Sequence, residues 1–327
     1  MKLGIIGSGM IVQDFLPKMV KMDGIEVLGI MSTIEEFNNA KKLGDDNGVK
    51  FTTVSFDEMC ASGIDTVYVA VPNFIHYEFC KKSLEKGLNV IIEKPMTSNV
   101  REAMELKKLA QEKKLFLFEA ITTVYLGTFL KIKEWLPRIG EVKNVESNHT
   151  QQSRRYDSFK AGEILPAFDP KKAGGALMDL NLYNLHYVMG LFGKPDNVKY
   201  YPTIERDIDT NGLLVLNYPK FNAHCFAAKD CGGVVGGLIQ GTNGVIRSSF
   251  PPNLVGEVTI KLNDGTEEQF DDKSAYERLV PEFTAFINAI NDKDYQYCYQ
   301  QLEQSIAVSE IMTKARLEAG IIFPGDE

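Results

Sequence analysis

Apolar residues are spread along this chain in two textures. In the first, short unbroken runs alternate with stretches of helical spacing. Leu3-Gly-Ile-Ile6, Glu26-Val-Leu-Gly-Ile30, Asp65-Thr-Val-Tyr-Val-Ala-Val71, Asn89-Val-Ile-Ile-Glu93 and Leu115-Phe-Leu-Phe118 read as strands buried on both faces. Between them, Met10–Met22, Glu35–Leu43, Phe74–Lys86 and Arg101–Lys113 carry the three-and-four spacing of amphipathic helices, the third closed by Gly87. Strands alternating with helices of this length predict a parallel, doubly wound sheet, so residues 1–120 are expected to form one domain.

From residue 121 to 327 the pattern changes. Thr128–Leu136 is helical and Glu141–Gln152 alternates as a half-buried strand. Then come short strands: Gly212–Tyr218, His224–Lys229, Val234–Gln240, Val245–Ser249, Val258–Leu262 and Glu267–Phe270. Thr242-Asn243-Gly244 and Asn263-Asp264-Gly265 are hairpin turns between some of them. Tyr276–Ile290 and Tyr299–Ala319 read as helices. The expected architecture is α/β: a doubly wound parallel sheet followed by an α+β domain with a large, mostly antiparallel open sheet. One face of that sheet packs on helices of its own domain, and the other is expected to pair subunits into a homodimer or homotetramer.

A chain of 327 residues exceeds what a single core usually supports, in keeping with two domains. The net charge of −8 excludes a general nucleic-acid binder, because Arg154-Arg155 and Lys171-Lys172 are pairs and not a basic field. Cys60, Cys80, Cys225, Cys231 and Cys298 are scattered without metal-ligand spacing, which points to reduced thiols and no metal. Met1 runs straight into a strand, and no long apolar run suggests a membrane span. A cytoplasmic location is expected.

Four constellations carry candidate chemistry. Gly7-Ser8-Gly9-Met10-Ile11-Val12 follows a strand and opens a helix. It has the dinucleotide-binding spacing, in which Gly7 makes the turn and Gly9 lets the backbone approach a pyrophosphate. Val12 replaces the usual last glycine. The second strand ends at Ser32-Thr33 with neither an acid for a ribose 2′-hydroxyl nor an arginine for a 2′-phosphate; the missing acid favours NADP over NAD, although Glu35 or Glu36 would reverse this. Ala70-Val71-Pro72-Asn73-x-x-His76 lies on the same sheet edge; as plain structure it is helix-start punctuation with a surface histidine. Glu93-Lys94-Pro95 ends an apolar strand, again at the carboxyl edge where such sheets hold ligands. In Gly174-Gly-Ala-Leu-Met-Asp179-Leu-Asn-Leu-Tyr183-Asn-Leu-His186, the Asp, Tyr and His would share one helical face.

These motifs, in this order and at this spacing, resemble the Gfo/Idh/MocA family, the glucose-fructose oxidoreductase and inositol dehydrogenase group, over nearly the whole chain. The resemblance implies an N-terminal Rossmann domain and an NAD(P)-dependent dehydrogenase or reductase acting on CH–OH groups of a sugar, polyol or related small molecule. It implies cofactor contacts at Gly7, Ser8, Gly9, Met10, Ile11, Ser32, Thr33, Ala70, Pro72, Asn73, His76, Glu93 and Lys94, and a peptide before Pro95 that is often cis. Lys94 would reach substrate and nicotinamide, Tyr183 would be the acid/base as in the dihydrodiol dehydrogenase branch, and Asp179 would orient substrate hydroxyls or Lys94. A phenol with a pKa near 10 needs a cation beside it for that task, and Lys94 would supply the charge. His186 does not match the family histidine, and Asn181 stands where glycine is common. Arg154, Arg155, Tyr156 and His186 are further candidates for holding the substrate. Two rivals share the resemblance: an NAD-dependent glycoside hydrolase and a non-catalytic dinucleotide-binding regulator, the second disfavoured by the presence of Lys94 and Tyr183.

Overall fold

Six short strands build the first sheet: β1 (Lys2–Ile6), β2 (Glu26–Met31), β3 (Phe51–Thr53), β4 (Thr66–Val69), β5 (Asn89–Glu93) and β6 (Leu117–Ala120). They lie in the order β3-β2-β1-β4-β5-β6, and every neighbouring pair is parallel. The structure is a computed structural model and describes residues 1–273 and 276–326. Parallel strands need crossover helices, so both sheet faces are covered and the strands become unbroken apolar runs. Leu3, Ile5, Val67, Val69, Val90 and Ile92 are fully buried, each worth roughly 1.5–3 kcal/mol relative to exposure. The crossovers carry α1 (Met10–Met19), α2 (Phe37–Asp46), α3 (Phe56–Ala61), α4 (His76–Glu85) and α5 (Val100–Lys113). β3 and α3 fall where the sequence pattern predicted nothing, since three strand residues and six helical ones are too few to show a period.

Helix starts differ in a way that bears on function. At α5 the Asn99 side chain accepts from the Glu102 amide at 3.0 Å, and at α3 Ser55 accepts from the Glu58 amide at 3.3 Å. α1 begins at Gly9 with no side-chain cap and no acidic residue in its first turn.

The second sheet has eight strands: β7 (Val142–Thr150), β8 (Asn197–Glu205), β9 (Ile208–Asn217), β10 (Asn222–Ala228), β11 (Gly236–Gly241), β12 (Gly244–Ser248), β13 (Val258–Leu262) and β14 (Glu267–Phe270). Their order is β14-β13-β12-β11-β7-β10-β9-β8, antiparallel throughout except for β7 beside β10. Alternate residues point to a buried face: Val145, Ser147 and His149 on β7, Leu214 and Leu216 on β9, and Ala223, Cys225 and Ala227 on β10. α6 (Gly127–Trp135), α7 (Tyr156–Lys160) and α8 (Leu182–Phe192) contribute Phe129, Ile132, Trp135, Phe159, Leu185 and Val188 to the same core. On the opposite face Glu146, Lys199 and His224 are exposed.

Contacts divide the chain into two units, Met1–Ala120 with Glu282–Ile306, and Ile121–Pro281 with Ala307–Glu327. The expected boundary at residue 120 coincides with a break between the units, and the first unit also takes in a later segment. Most of α9 (Val280–Asp292) and the first half of α10 (Tyr295–Glu318) belong to the first unit. The cause is aromatic packing: Phe283 meets Phe15 and Tyr68 at ring-centroid distances of 4.7 and 5.1 Å, and Phe286 stacks on Phe118 at 4.6 Å. Among the described residues no helix is long and apolar enough to cross a membrane, and no cluster of three metal-ligating side chains occurs.

Candidate active site

In the first unit all six strands present their carboxyl ends on one edge, and strand order reverses between β1 and β4, the point at which open α/β sheets bind ligands. Gly7 leaves β1 with φ of +113°, and a Cβ there would overlap the carbonyl oxygen of Ala70. Its amide donates to the Met31 carbonyl at 2.8 Å, and the Ala70 amide donates to the Ile6 carbonyl at 2.8 Å. These bonds stitch the turn between β2 and β4, so the fold itself demands glycine at this position.

Gly9 is different. Its φ is −67°, and among the described residues a Cβ would meet no atom within 4 Å. Together with the uncapped, acid-free start of α1, that space suits a pyrophosphate received by the backbone amides of Ser8 to Ile11. Val12 is fully buried and its amide bonds to Gly9 O at 3.0 Å, so the third fingerprint position takes a branched side chain without disturbing the turn.

At the end of β2, Ser32 is buried with its hydroxyl on the Thr33 carbonyl at 3.1 Å, and Thr33 is exposed. The Glu35 carboxyl is held below its usual range by its own backbone amide and by the Thr33 hydroxyl. An ionised acid thus stands within reach of this strand end, the feature that weighs against a 2′-phosphate.

His76 is not a surface residue. It is fully buried, with Nε2 2.8 Å from the Val71 carbonyl and Nδ1 2.8 Å from the Pro95 carbonyl. Burial lowers its pKa, and the two carbonyl bonds oppose that. The ring ties the loop after β4 to the loop after β5, leaving Pro72 and Asn73 on the outer side as an exposed and a half-buried position. Glu93 also turns inward. It accepts a hydrogen bond from the Tyr68 hydroxyl, and its Oε2 lies 3.3 Å from the Lys94 amide. Glu93 therefore braces the loop and does not face the edge, because the Tyr68 phenol beneath the sheet needs an acceptor. Lys94 is half-buried, and the Lys94–Pro95 peptide is cis.

In the second unit the GG-x-x-x-D segment does not enter an ordinary helix. Leu177–Asn181 forms a π-helical turn ahead of α8, which shifts the angular phase so that the expected stripe breaks up. The Asp179 side chain is 39 % exposed, Tyr183 is 8 % exposed and His186 is fully buried in the core, so a substrate contact at His186 is not supported by its position. The two glycines have separate causes. A Cβ on Gly174 would lie 2.7 Å from the Pro166 carbonyl oxygen, whereas Gly175, at φ +105°, has the Asp209 carboxylate where its Cβ would be. Asp209 accepts from the Leu177 amide and from the Tyr200 hydroxyl, both at 2.6 Å, and burial pushes its carboxyl up to about 6.

Asn181 is explained by its bonds. Its amide donates to the Gly212 carbonyl at 3.1 Å and its Oδ1 accepts from Asn184 at 2.8 Å; Asn184 in turn accepts from Ser147 at 2.8 Å and donates to the Phe226 carbonyl at 3.0 Å. This buried polar chain pins the π-turn to β7, β9 and β10. Arg154 is exposed. The Tyr156 hydroxyl is committed to Glu205 at 2.9 Å, and burial followed by that carboxylate raises its pKa to about 12.

Three residues at this site escaped the sequence reading. His149, on β7, packs its ring 5.3 Å from that of Tyr183. Asp209 anchors the glycine turn, and Lys229 pairs with Asp179 at 2.9 Å. Lys229 did leave a signal: like Lys94, it ends an apolar strand.

Comparison with known proteins bears on the whole chain. The model of an oxidoreductase family with an NAD-binding Rossmann fold matches residues 1–120, and that of the family's C-terminal alpha/beta domain matches residues 136–322. The scyllo-inositol 2-dehydrogenase (NADP(+)) of Bacillus subtilis is 29% identical over 100% of this chain and 99% of its own. The D-xylose 1-dehydrogenase (NADP(+)) of Hypocrea jecorina is 26% identical over 83% of this chain and 77% of its own. A crystal structure of a 3-ketoreductase from Actinomadura kijaniata, in complex with NADP and TDP-benzene, matches with a TM-score of 0.83 at 20% identity, covering 97% of each chain; it shares the fold.

Proposed function

The chain belongs to the Gfo/Idh/MocA oxidoreductase family, and on that premise we propose that it moves a hydride between the nicotinamide of NADP and a carbinol or carbonyl carbon of a sugar, polyol or related small hydroxy compound. The observation that carries this reading is the carboxyl edge of the first sheet. The open space before Gly9, the uncapped start of α1 and Lys94 all belong to that one edge. The relatives named for an inositol and for xylose, both NADP(+) enzymes, support the substrate class and the cofactor.

When bound at that edge, the nicotinamide supplies or accepts the hydride. The chain's own residues do the rest. Lys94 donates a hydrogen bond and a positive charge to the oxygen of the reacting carbon. Tyr183 holds or releases the proton that this oxygen exchanges, and the reading assigns to Lys94 the cation that makes its phenol acidic enough. Asp179 accepts from substrate hydroxyls, and exposed Arg154 is a further holding group. His76 and Glu93 act on the loop that carries Lys94, through Pro95 and through the Lys94 amide.

Calorimetric titration with NADPH and NADH, followed by a panel of polyols, aldoses and diketones read at the nicotinamide absorbance, tests the reading. NADPH is expected to bind more tightly, and Glu35→Gln is expected to widen the preference by removing a charge that opposes a 2′-phosphate. Lys94→Ala should lower turnover by about 10²–10⁴-fold, the range for a positioned proton-transfer or oxyanion group, with NADPH affinity retained. Adding Tyr183→Phe to it should cost little more, as for residues acting in one step. An active Lys94→Ala enzyme would end the assignment.

For the assembled state, the reading is a homodimer or homotetramer formed through the face of the second sheet opposite the core that holds α6 and α8. In its support, Tyr201, Leu213 and Phe226 stand in register across β8, β9 and β10 on that face.

A further inference from the structure

Lys229 follows the last residue of β10, and its side chain is 2 % exposed, against 39 % for its partner Asp179. Its ammonium donates to Asp179 Oδ2 at 2.9 Å and to the Ala167 carbonyl at 2.7 Å, and stands 4.7 Å from the centroid of the Phe168 ring. The backbone is clamped on both sides: the Lys229 amide donates to the Thr210 carbonyl at 2.8 Å, and its carbonyl accepts from the Ser153 amide at 2.8 Å. The Ala167 carbonyl also accepts from the Gly175 amide at 3.1 Å, so one cation secures the turn before the glycines and the aspartate after them.

A buried ion pair is seldom the best way to stabilise a core, since well-packed apolar residues of similar volume often do as well. The pair is also directional. Its cation is sealed in and its carboxylate is the more exposed end, on a π-turn held by Asn181 and preceded by glycines that are themselves fixed by packing. Such an arrangement aims a carboxylate. Among the described residues, the titratable groups around it include Asp209 across the glycine turn, Asp230 next in the chain and bonded to Thr210 and Asn211, and Tyr183 with His149 against its ring.

We propose that Lys229 is a positioning residue of the reaction: its enclosed ammonium fixes the Asp179 carboxylate as an acceptor for substrate hydroxyls, and so governs substrate affinity and not hydride transfer itself. This rests on the oxidoreductase reading above and assigns to it a residue that touches neither cofactor nor substrate.

The test uses Lys229→Met and Lys229→Gln in the full chain. Both should leave NADPH affinity unchanged and raise substrate KM about tenfold or more, with kcat within about threefold. The acid limb of kcat/KM should move to higher pH, because Asp179 loses the cation that favours its charged form. In an Asp179→Asn background, Lys229→Met should add nothing. A folded variant with wild-type KM and acid limb overturns the proposal, as does a loss confined to kcat. If the wild type binds NADPH but turns over no substrate, it is the oxidoreductase reading that fails. Carbon-13 NMR of the Asp179 carboxyl then judges Lys229 separately: its titration midpoint should rise in Lys229→Met, and an unchanged midpoint overturns the assignment. If neither variant folds, Lys229 serves the fold and the proposal falls.

Discussion

Gly7 and Gly9 stand two residues apart and are glycine for different reasons. Gly7 has positive φ and no room for a Cβ, so Gly7→Ala should destabilise the protein by about 1–3 kcal/mol or more, measured by denaturant unfolding. Gly9 has ordinary φ and open space before it. Gly9→Ala should leave stability within about 0.5 kcal/mol, apart from small propensity effects, while weakening NADPH binding about tenfold or more. Wild-type NADPH affinity in Gly9→Ala would sink the phosphate role of the turn. Single residues also show how reading by type misleads: His76 and Glu93 lie in motifs that suggest ligand contact, yet both turn inward because a carbonyl or a buried phenol claims them.

At the scale of elements, the π-turn before α8 depends on one buried carboxylate. Asp209 bonds the Leu177 amide and fills the space that a side chain at Gly175 would take. Burial raises its pKa from 3.8 to about 6, while the Tyr200 and Leu177 bonds oppose that rise. Between about pH 4 and pH 6 the folded state therefore keeps a proton that the unfolded chain releases. Stability contributed by this residue falls as pH rises through that window, by at most about 1.4 kcal/mol per pH unit. Asp209→Asn should flatten that segment of the stability-against-pH curve, followed by urea unfolding at several pH values. An unchanged slope would place the proton elsewhere. The strands were easier to read than this turn, since a strand declares itself by a run of four or five residues, whereas a π-turn arises from bonds that distant strands make to it.

For the whole molecule, the second sheet combines a core-facing side with a side on which Tyr201, Leu213 and Phe226 align beside a row holding exposed Lys199, His224 and Glu146. Leu213→Arg would place a charge in the middle of that row. If subunits pair through this face, light scattering after size exclusion should show the variant as a monomer with unchanged far-UV circular dichroism. An unchanged assembly would exclude the face. The C-terminal helices make a related point: α9 returns to the first unit because Phe283 and Phe286 find Phe15, Tyr68 and Phe118, and a helical period alone does not say which core its apolar side will join.

The doubly wound sheet, the glycine turn, Lys94 at a strand end and most of the later antiparallel strands are legible in the sequence, because run length, periodicity and turn chemistry are local properties. The family resemblance stated from those motifs agrees with the family models that match both parts of the chain. Tertiary structure alone decided that Lys229 serves Asp179 from 50 residues away, that Asp209 meets the glycines and that His76 spans two loops. Those partners are chosen by which strand ends and turns pack together, and a pairing across a sheet leaves no period in the chain that carries it.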